Sequence, residues 1–432
     1  MAGSKSRWPA VITIGVIVLA VTAWLLVAYF GGRPTKTPGT LTNVTPRVQD
    51  ITTTPSGWAS PINLDLTDSA SYPVIDTGVD SIIIVASPGH ITALDLGGRK
   101  VLWQVAGATY WVTFDDATGL ISNSENTFYR INIRTGKTTK LGTLPSGDRP
   151  VYAAGDVVIS DISEVNPGGV FNYCARKLSD PGNCLWQATW FSGSEAARVF
   201  GDGRWINTDN GVYDIAAGEP ASFGAAPNTD ANQQVFFAGP ADHVLKITIN
   251  YGDKTTTTLQ PWDTLADKAL SQSVTTTGIL VPDSYTSSAL LMYSADDRSV
   301  AAYSWSTGWL LWRSQVGVVT NVAPNTWVFD SCIQVLTQSP DGQPDPGPTQ
   351  TAVLDSASGR ELWRGSTYRV VQSSDKVVYM DGNALFAFDT TMPGFHQLWS
   401  VAAPATGVEY HVLAHHIVAL SRTTGQLWVL NY

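Results

Sequence analysis

The chain has 432 residues and a formal net charge of −10, from 26 Lys and Arg against 36 Asp and Glu. Charged residues make up 14%, well under the ~25% of an average soluble chain, while Trp (16), Gly (38) and Pro (24) are plentiful. This mixture suits short strands joined by tight turns. With no basic patch beyond the first few dozen residues, it argues against nucleic acid as the main partner.

Residues 1–7 are short and polar. Trp8 to Phe30 then runs for 23 residues without a charge, enough helix to cross a bilayer, which needs ~20. Lys5 and Arg7 precede it, so the N-terminus is expected in the cytoplasm, although Arg33 and Lys36 follow on the other side. A cleaved signal peptide is the alternative, but its apolar core is typically ~7–15 residues. The expectation is an uncleaved transmembrane signal anchor over 8–30, with everything after Gly31 outside the cytoplasm. Residues 31–61 are rich in Thr and Pro and lack apolar periodicity, as expected of an extracytoplasmic tether.

From residue 62 to 432 the texture is that of strands. "SIIIVAS", "ITALDL", "HVLKITIN", "KVVYMDG" and "ALFAFDT" are short, rich in β-branched and aromatic residues, and bounded by Gly, Asp, Ser or Pro. The one segment with helical character is Thr264–Gln272, "TLADKALSQ". Cys174 and Cys184 flank the turn "SDPG". In a hairpin they face each other, and an oxidising compartment permits a disulfide; two free thiols are the alternative. Cys332 has no evident partner and reads as a small buried apolar residue. "TQSPDGQPDPGPTQT" (337–351), with Gln338, Asp341, Gln343 and Asp345, reads as an exposed loop on one face and a candidate interaction surface.

One phrase recurs along the chain: a strand, a polar residue, a turn with Gly four positions on, and often Trp eight positions on. It starts at Asp95, Asn132, Asp214, Ser304 and Asp355, with Arg99, Gly136, Gly218, Gly308 and Gly359 at +4. The +8 residues are Trp103, Lys140, Ser222, Trp312 and Trp363. Asp389 begins a longer version that reaches Trp399, and around Cys174–Trp186 only strand, turn and Trp survive. The polar side chain starts the turn by bonding nearby backbone. Gly takes the backbone angle that other residues resist, and the Trp can fill the gap between neighbouring sheets. Internal similarity at a period of tens of residues marks a repeat architecture.

"ALDLGGRKVLW" (Ala93–Trp103), "AYSWSTGWLLW" (Ala302–Trp312), "VLDSASGRELW" (Val353–Trp363) and "ALFAFDTTMPGFHQLW" (Ala384–Trp399) resemble the quinoprotein-type, or PQQ-like, β-propeller repeat. That resemblance implies an all-β propeller in which Trp103, Trp186, Trp312, Trp363 and Trp399 dock between blades. Turns are then held at Asp95, Gly136, Gly218, Gly308, Asp355, Gly359 and Asp389. The last segment, "HHIVALSRTTGQLWVLNY", matches a blade without its fourth strand, and "INLDLTD" near Ile62 is positioned to supply it. The 361 residues from Tyr72 onward allow about 45 per blade for eight blades. Eight is favoured on this length, with seven as the alternative because Gln233–Val300 is hard to partition.

The family it resembles includes quinoprotein dehydrogenases, which hold PQQ and Ca²⁺ in the propeller centre, so the resemblance implies an enzyme as one alternative. This chain carries no adjacent Cys pair and no Glu/Asn/Asp set at motif positions, so no catalytic, cofactor or metal residue is assigned and no cofactor is expected. "YHVLAHH" (Tyr410–His416) places His411 and His415 on one strand face without a completing ligand. Asp95, Asp355 and Asp389 recur with the turns, which marks them as caps. The chain resembles the BamB-type assembly scaffolds of this family, with a transmembrane helix in place of a lipid on Cys. The expected function is a non-catalytic scaffold for envelope proteins or cell-wall polymers. An oxidoreductase and a ligand- or glycan-binding sensor remain as alternatives.

Overall fold

The structure is a computed structural model. It describes Asp50 to Tyr432 except 65–73, 163–169, 192–198, 226–231, 317–325, 338–349 and breaks of one to three residues elsewhere. The expected membrane helix (8–30), residues 31–49 and the loop residues Gln338, Asp341, Gln343 and Asp345 lie outside the described residues. Among those described, no helix is long and apolar enough to cross a membrane.

Every strand pairing is antiparallel and almost every sheet is a run of strands in chain order. Blade 7 shows why. Its four strands are Arg369–Ser373, Val377–Asp381, Ala384–Asp389 and His396–Ala402. The two middle strands, "VVYMD" and "ALFAFD", are apolar on both faces because a neighbouring sheet covers each face. Val377, Val378, Tyr379, Met380, Leu385 and Ala387 are fully buried. The outer strand opens on exposed His396 and Gln397.

Eight hydrogen-bonded sheets form in this way among the described residues. We number them as blades. Blade 1 spans 74–143, blade 2 149–191, blade 3 199–225, blade 4 233–277, blade 5 279–315, blade 6 326–365, blade 7 369–402 and blade 8 408–431. Blade 1 is double, with seven strands. Its 14-residue strand Lys100–Thr113 pairs with Gly89–Asp95 through its first half and with Thr118–Asn123 through its second. Gly107, at φ +74°, marks the bend. The outer strand of one four-stranded half thus becomes the inner strand of the next. Nine apolar clusters among the described residues lie between successive sheets or half-sheets. One of them, with Ile83, Leu94, Val418 and Leu427, joins blade 8 to blade 1 and closes the ring.

The ring closes with the first strand on the last blade. Gly57–Trp58 pairs with Asn431 and Leu430, and Ile62–Asn63 with Leu427 and Gln426. This is the fourth strand that blade 8 lacks. Ahead of the expected 61/62 boundary, the chain already contacts the ring from Asp50 onward. The Asp50 carboxylate accepts from Ser374 Oγ at 2.6 Å and from the Lys376 N–H at 3.1 Å. Ile51 is buried in the cluster between blades 7 and 8. Thr and Pro set no apolar period in this stretch, so its single buried residues were not visible as strand.

The expected helix at Thr264–Gln272 is corrected. This segment is a turn followed by the short strand Lys268–Ala269. Asp263 Oδ1 accepts the N–H groups of Leu265 and Ala266 at 2.9 and 3.0 Å, and Asp267 stands at φ +46°. Leu265 and Leu270 are 92% and 61% exposed, so no apolar helical face exists to be buried. The frame "DTLADKALSQ" instead shares with "DLGGRKVLWQ" from Asp95 the pairing of its first and sixth residues and a positive φ at its fifth.

Candidate functional site

The repeated residues meet at the seams between blades. At each turn the +4 residue has positive φ: Arg99 +51°, Gly136 +68°, Gly218 +70°, Gly308 +68° and Gly359 +70°. The +4 N–H donates to the carbonyl of the starting residue at 2.8 Å for Gly136, Gly308 and Gly359, and at 2.9 Å for Gly218. The starting side chains cap the turn. Asp95 Oδ1 accepts the Gly98 N–H at 2.8 Å, Asp355 Oδ1 the Ser358 N–H at 2.7 Å, and Asp389 Oδ1 the Thr391 N–H at 2.7 Å.

The tryptophan and the glycine of one phrase serve different seams. A Cβ on Gly136 would stand 2.6 Å from Trp103, and one on Gly359 would run into the Trp312 ring. In these two cases the +8 Trp of one unit packs against the +4 Gly of the next. Its indole N–H then finds a carbonyl just past the turn start: Trp103 donates to Ile133 at 2.7 Å and Trp312 to Ser356 at 3.1 Å. Trp399 donates to Ile51 at 2.8 Å, so the N-terminal segment takes this role at the last seam. Trp186 is buried and packs tilted against Tyr213, ring centroids 4.9 Å apart, while Leu185 covers Gly218. Trp363 is half-buried beside Tyr368, ring centroids 5.6 Å apart.

Cys174 and Cys184 form a disulfide, with Cα atoms 5.7 Å apart. It clasps the hairpin Val170–Lys177/Asp180–Phe191 of blade 2, whose register slips at Arg176. Beside it Arg176 and Asp148 make a buried ion pair at 3.0 Å, supported by Ser160 Oγ at 3.1 Å. Cys332 takes no part in this disulfide and is fully buried.

The histidine-rich segment does not form one strand face. Its strand ends at Val412 and the chain turns, with the Leu413 N–H donating to the His416 carbonyl. His416 Nε2 lies 2.9 Å from Ser81 Oγ. On the inner strand of blade 8, burial pushes His411 below the ordinary imidazole range, opposed by Glu409 and assisted by Arg422. Glu409 and Arg422 are ion-paired. Burial raises the Asp381 carboxyl against the effect of Arg369, 3.2 Å away, and pushes Tyr410 up to about 12. The Tyr379 hydroxyl, held above the usual phenol range by burial, accepts the Ile51 N–H at 3.0 Å.

A small cleft of about 190 Å³ opens at the bend of blade 1, against Ala108, Ile121, Ser122 and Tyr129; ligand sites usually offer ~300 Å³ or more. Among the described residues no group of three His, Cys, Asp or Glu is placed to hold a metal ion. Sequence reasoning missed Asp50, Ile51, Trp58 and the Asp263–Asp267 turn. Trp58 had a signal, being a tryptophan in a Thr/Pro-rich stretch; it donates to the Ala402 carbonyl at 2.8 Å and stacks on Tyr410.

These sheets, seams and closing strand define a β-propeller. Solved structures similar to it include BamB from Moraxella catarrhalis, at 13% identity over 87% of this chain and 99% of that one, TM-score 0.44. A computationally designed protein, Ika8, matches at 13% identity over 87% of this chain and all of that one, TM-score 0.44. A europium-containing methanol dehydrogenase matches at 12% identity over 84% of each chain, TM-score 0.43. BamB and the dehydrogenase are both PQQ-like β-propellers. At these identities and scores the likeness carries nothing about activity. No protein-family model matches the chain, and no curated protein matches its sequence.

Proposed function

We propose that the protein is a membrane-anchored, extracytoplasmic propeller that acts as a non-catalytic scaffold in the cell envelope, holding envelope proteins or cell-wall polymers through its loops. The observation that carries this reading is what the repeated residues do. The recurring Asp, Gly and Trp side chains cap turns and fill seams, so they build a rigid ring that displays its loops. The uncharged segment Trp8–Phe30 supports an anchor. The Cys174–Cys184 bond is of the kind that persists in oxidising compartments. Asp50, clamped to Ser374, is where the chain from that segment would join the ring, at blade 7.

The test crosslinks the tagged full-length protein in its native membrane and identifies what co-purifies, then repeats this with 337–351 shortened to a Gly-Ser turn. A defined envelope complex at near-stoichiometric yield, lost with the shortened loop, is expected. Recovery in the soluble fraction overturns the anchor. A propeller that recruits no partner but takes up a quinone with Ca²⁺ overturns the scaffold in favour of an oxidoreductase.

A further inference from the structure

Antiparallel pairing reverses the chain at every turn. In each four-stranded unit the turns from first to second strand and from third to fourth therefore open on one face, and the turn from second to third opens on the other. Bonds between neighbouring blades hold the former turns side by side. The Gly201 N–H of blade 3 donates to the Gly239 carbonyl of blade 4 at 2.8 Å. Arg360 of blade 6 donates to the Thr390 carbonyl of blade 7 at 3.4 Å, and Arg99 of blade 1 to Asn431 of blade 8 at 2.8 Å. Asp50 is held on the first turn of blade 7, by Ser374 and Lys376, and Gly57 pairs with Asn431 at the same end of blade 8. The chain that precedes Asp50 thus arrives on this face.

Exposed apolar side chains gather on the same face. Leu265 and Trp309, 92% and 66% exposed, lie in the third-to-fourth turns of blades 4 and 5, and exposed Leu270, Leu310 and Leu311 open the strands that follow. Val101 opens the corresponding strand of blade 1. Tyr432 follows Asn431 and donates its hydroxyl to the His415 carbonyl in the first turn of blade 8. Of the large apolar residues exposed among the described ones, Tyr251 alone lies in a second-to-third turn, on the other face. Thr337 and Gln350, which flank the candidate interaction loop, pair at that other face as well.

The apolar groups stand on turns and not in a groove. The carboxylates of the Leu265 turn are engaged, Asp263 with the Leu265 and Ala266 N–H groups and Asp267 with the Trp262 indole N–H at 3.1 Å. Projecting Trp and Leu suit a soft apolar medium that closes around them, and Trp is a side chain favoured at the membrane–water interface. On the anchored reading, residues 31–49 can span at most ~65 Å, and they lead to this face. We propose that this face rests on the bilayer, with Leu265 and Trp309 inserted at the lipid interface, and that the opposite face is the one turned to partners. The inference rests on the anchored reading and adds to it which face of the propeller meets lipid.

The test uses the full chain in phosphatidylcholine liposomes, at less than one chain per vesicle on average. An environment-sensitive dye is placed in turn on Leu265→Cys, Trp309→Cys and Tyr251→Cys, all at exposed positions; the parent chain, whose Cys332 is fully buried, reports stray labelling. Lipid spin-labelled near the headgroup end of its acyl chain should quench the dye at 265 and at 309 at least threefold more than at 251. Equal quenching at the three positions overturns the proposal and leaves the patch to a protein partner. Shielding at 265 and 309 that appears only when chains are crowded marks a second copy and overturns it too. If the chain floats with the liposomes while the three positions behave alike, the anchor stands and the face is wrong. If it does not float, the anchored reading falls and the proposal with it.

Discussion

Gly136, Gly308 and Gly359 share one backbone conformation and differ only in what lies above them. Holding a non-glycine residue at such a φ costs about 1–2 kcal/mol. Forcing a methyl into a filled site adds about 1–3 kcal/mol. Gly359→Ala pays both, because its Cβ meets the Trp312 ring. Gly308→Ala pays only the first, since its contacts at 3.4 to 3.6 Å are ordinary van der Waals distances. Urea denaturation of the two variants should therefore show Gly359→Ala losing more than about 2 kcal/mol and Gly308→Ala about half as much. Equal losses would mean that the ring does not rest on the glycine. Arg99 shows that the turn itself tolerates a side chain at φ +51°.

At the scale of one element, the hairpin of blade 2 is the exception among the turns. It lacks the capped four-residue frame of Asp95 or Asp355, and its register slips twice near Arg176. The Cys174–Cys184 bond holds it together across a sequence separation of 10. Closing a loop of that size restrains the unfolded chain by about 2–3 kcal/mol. Replacing both cysteines by Ala should lower the stability of the oxidised protein by that amount, while leaving the reduced wild type and the variant nearly equal. A variant as stable as the oxidised wild type would show that the buried Arg176–Asp148 pair and the sheet pairing carry the hairpin alone.

For the whole molecule the decisive element is the first one. Residues 50–63 reach blade 7 through Asp50 and Ile51, and blade 8 through Trp58 and the pairing with Gln426–Asn431. They cover Tyr379 and Trp399 and supply the outer strand of the last sheet. A chain beginning at Asp50 should unfold in one cooperative transition. A chain beginning at Leu64 should deprive the Tyr379 hydroxyl and the Trp399 indole N–H of their bonds to Ile51 and melt at a markedly lower temperature, with blades 7 and 8 opening first in hydrogen exchange. Identical melting of the two would remove the strap from the closure.

The sequence by itself determined the strands, the turns and the manner of closure. These depend on residues close together in the chain: β-branched runs, a capping Asp or Asn, a glycine four positions later, and a final unit one strand short. The Asp263 turn escaped because Asp267 stands where glycine is usual and Ser271 where tryptophan is, leaving Ala and Leu to suggest a helix. Only the tertiary structure decided that the Trp and Gly of one phrase belong to different seams, that Ile51 and Trp58 lie in the ring, and that Gly308 carries no tryptophan. Those are contacts between residues from about 30 to more than 300 positions apart, and packing across such distances leaves no local pattern in the chain.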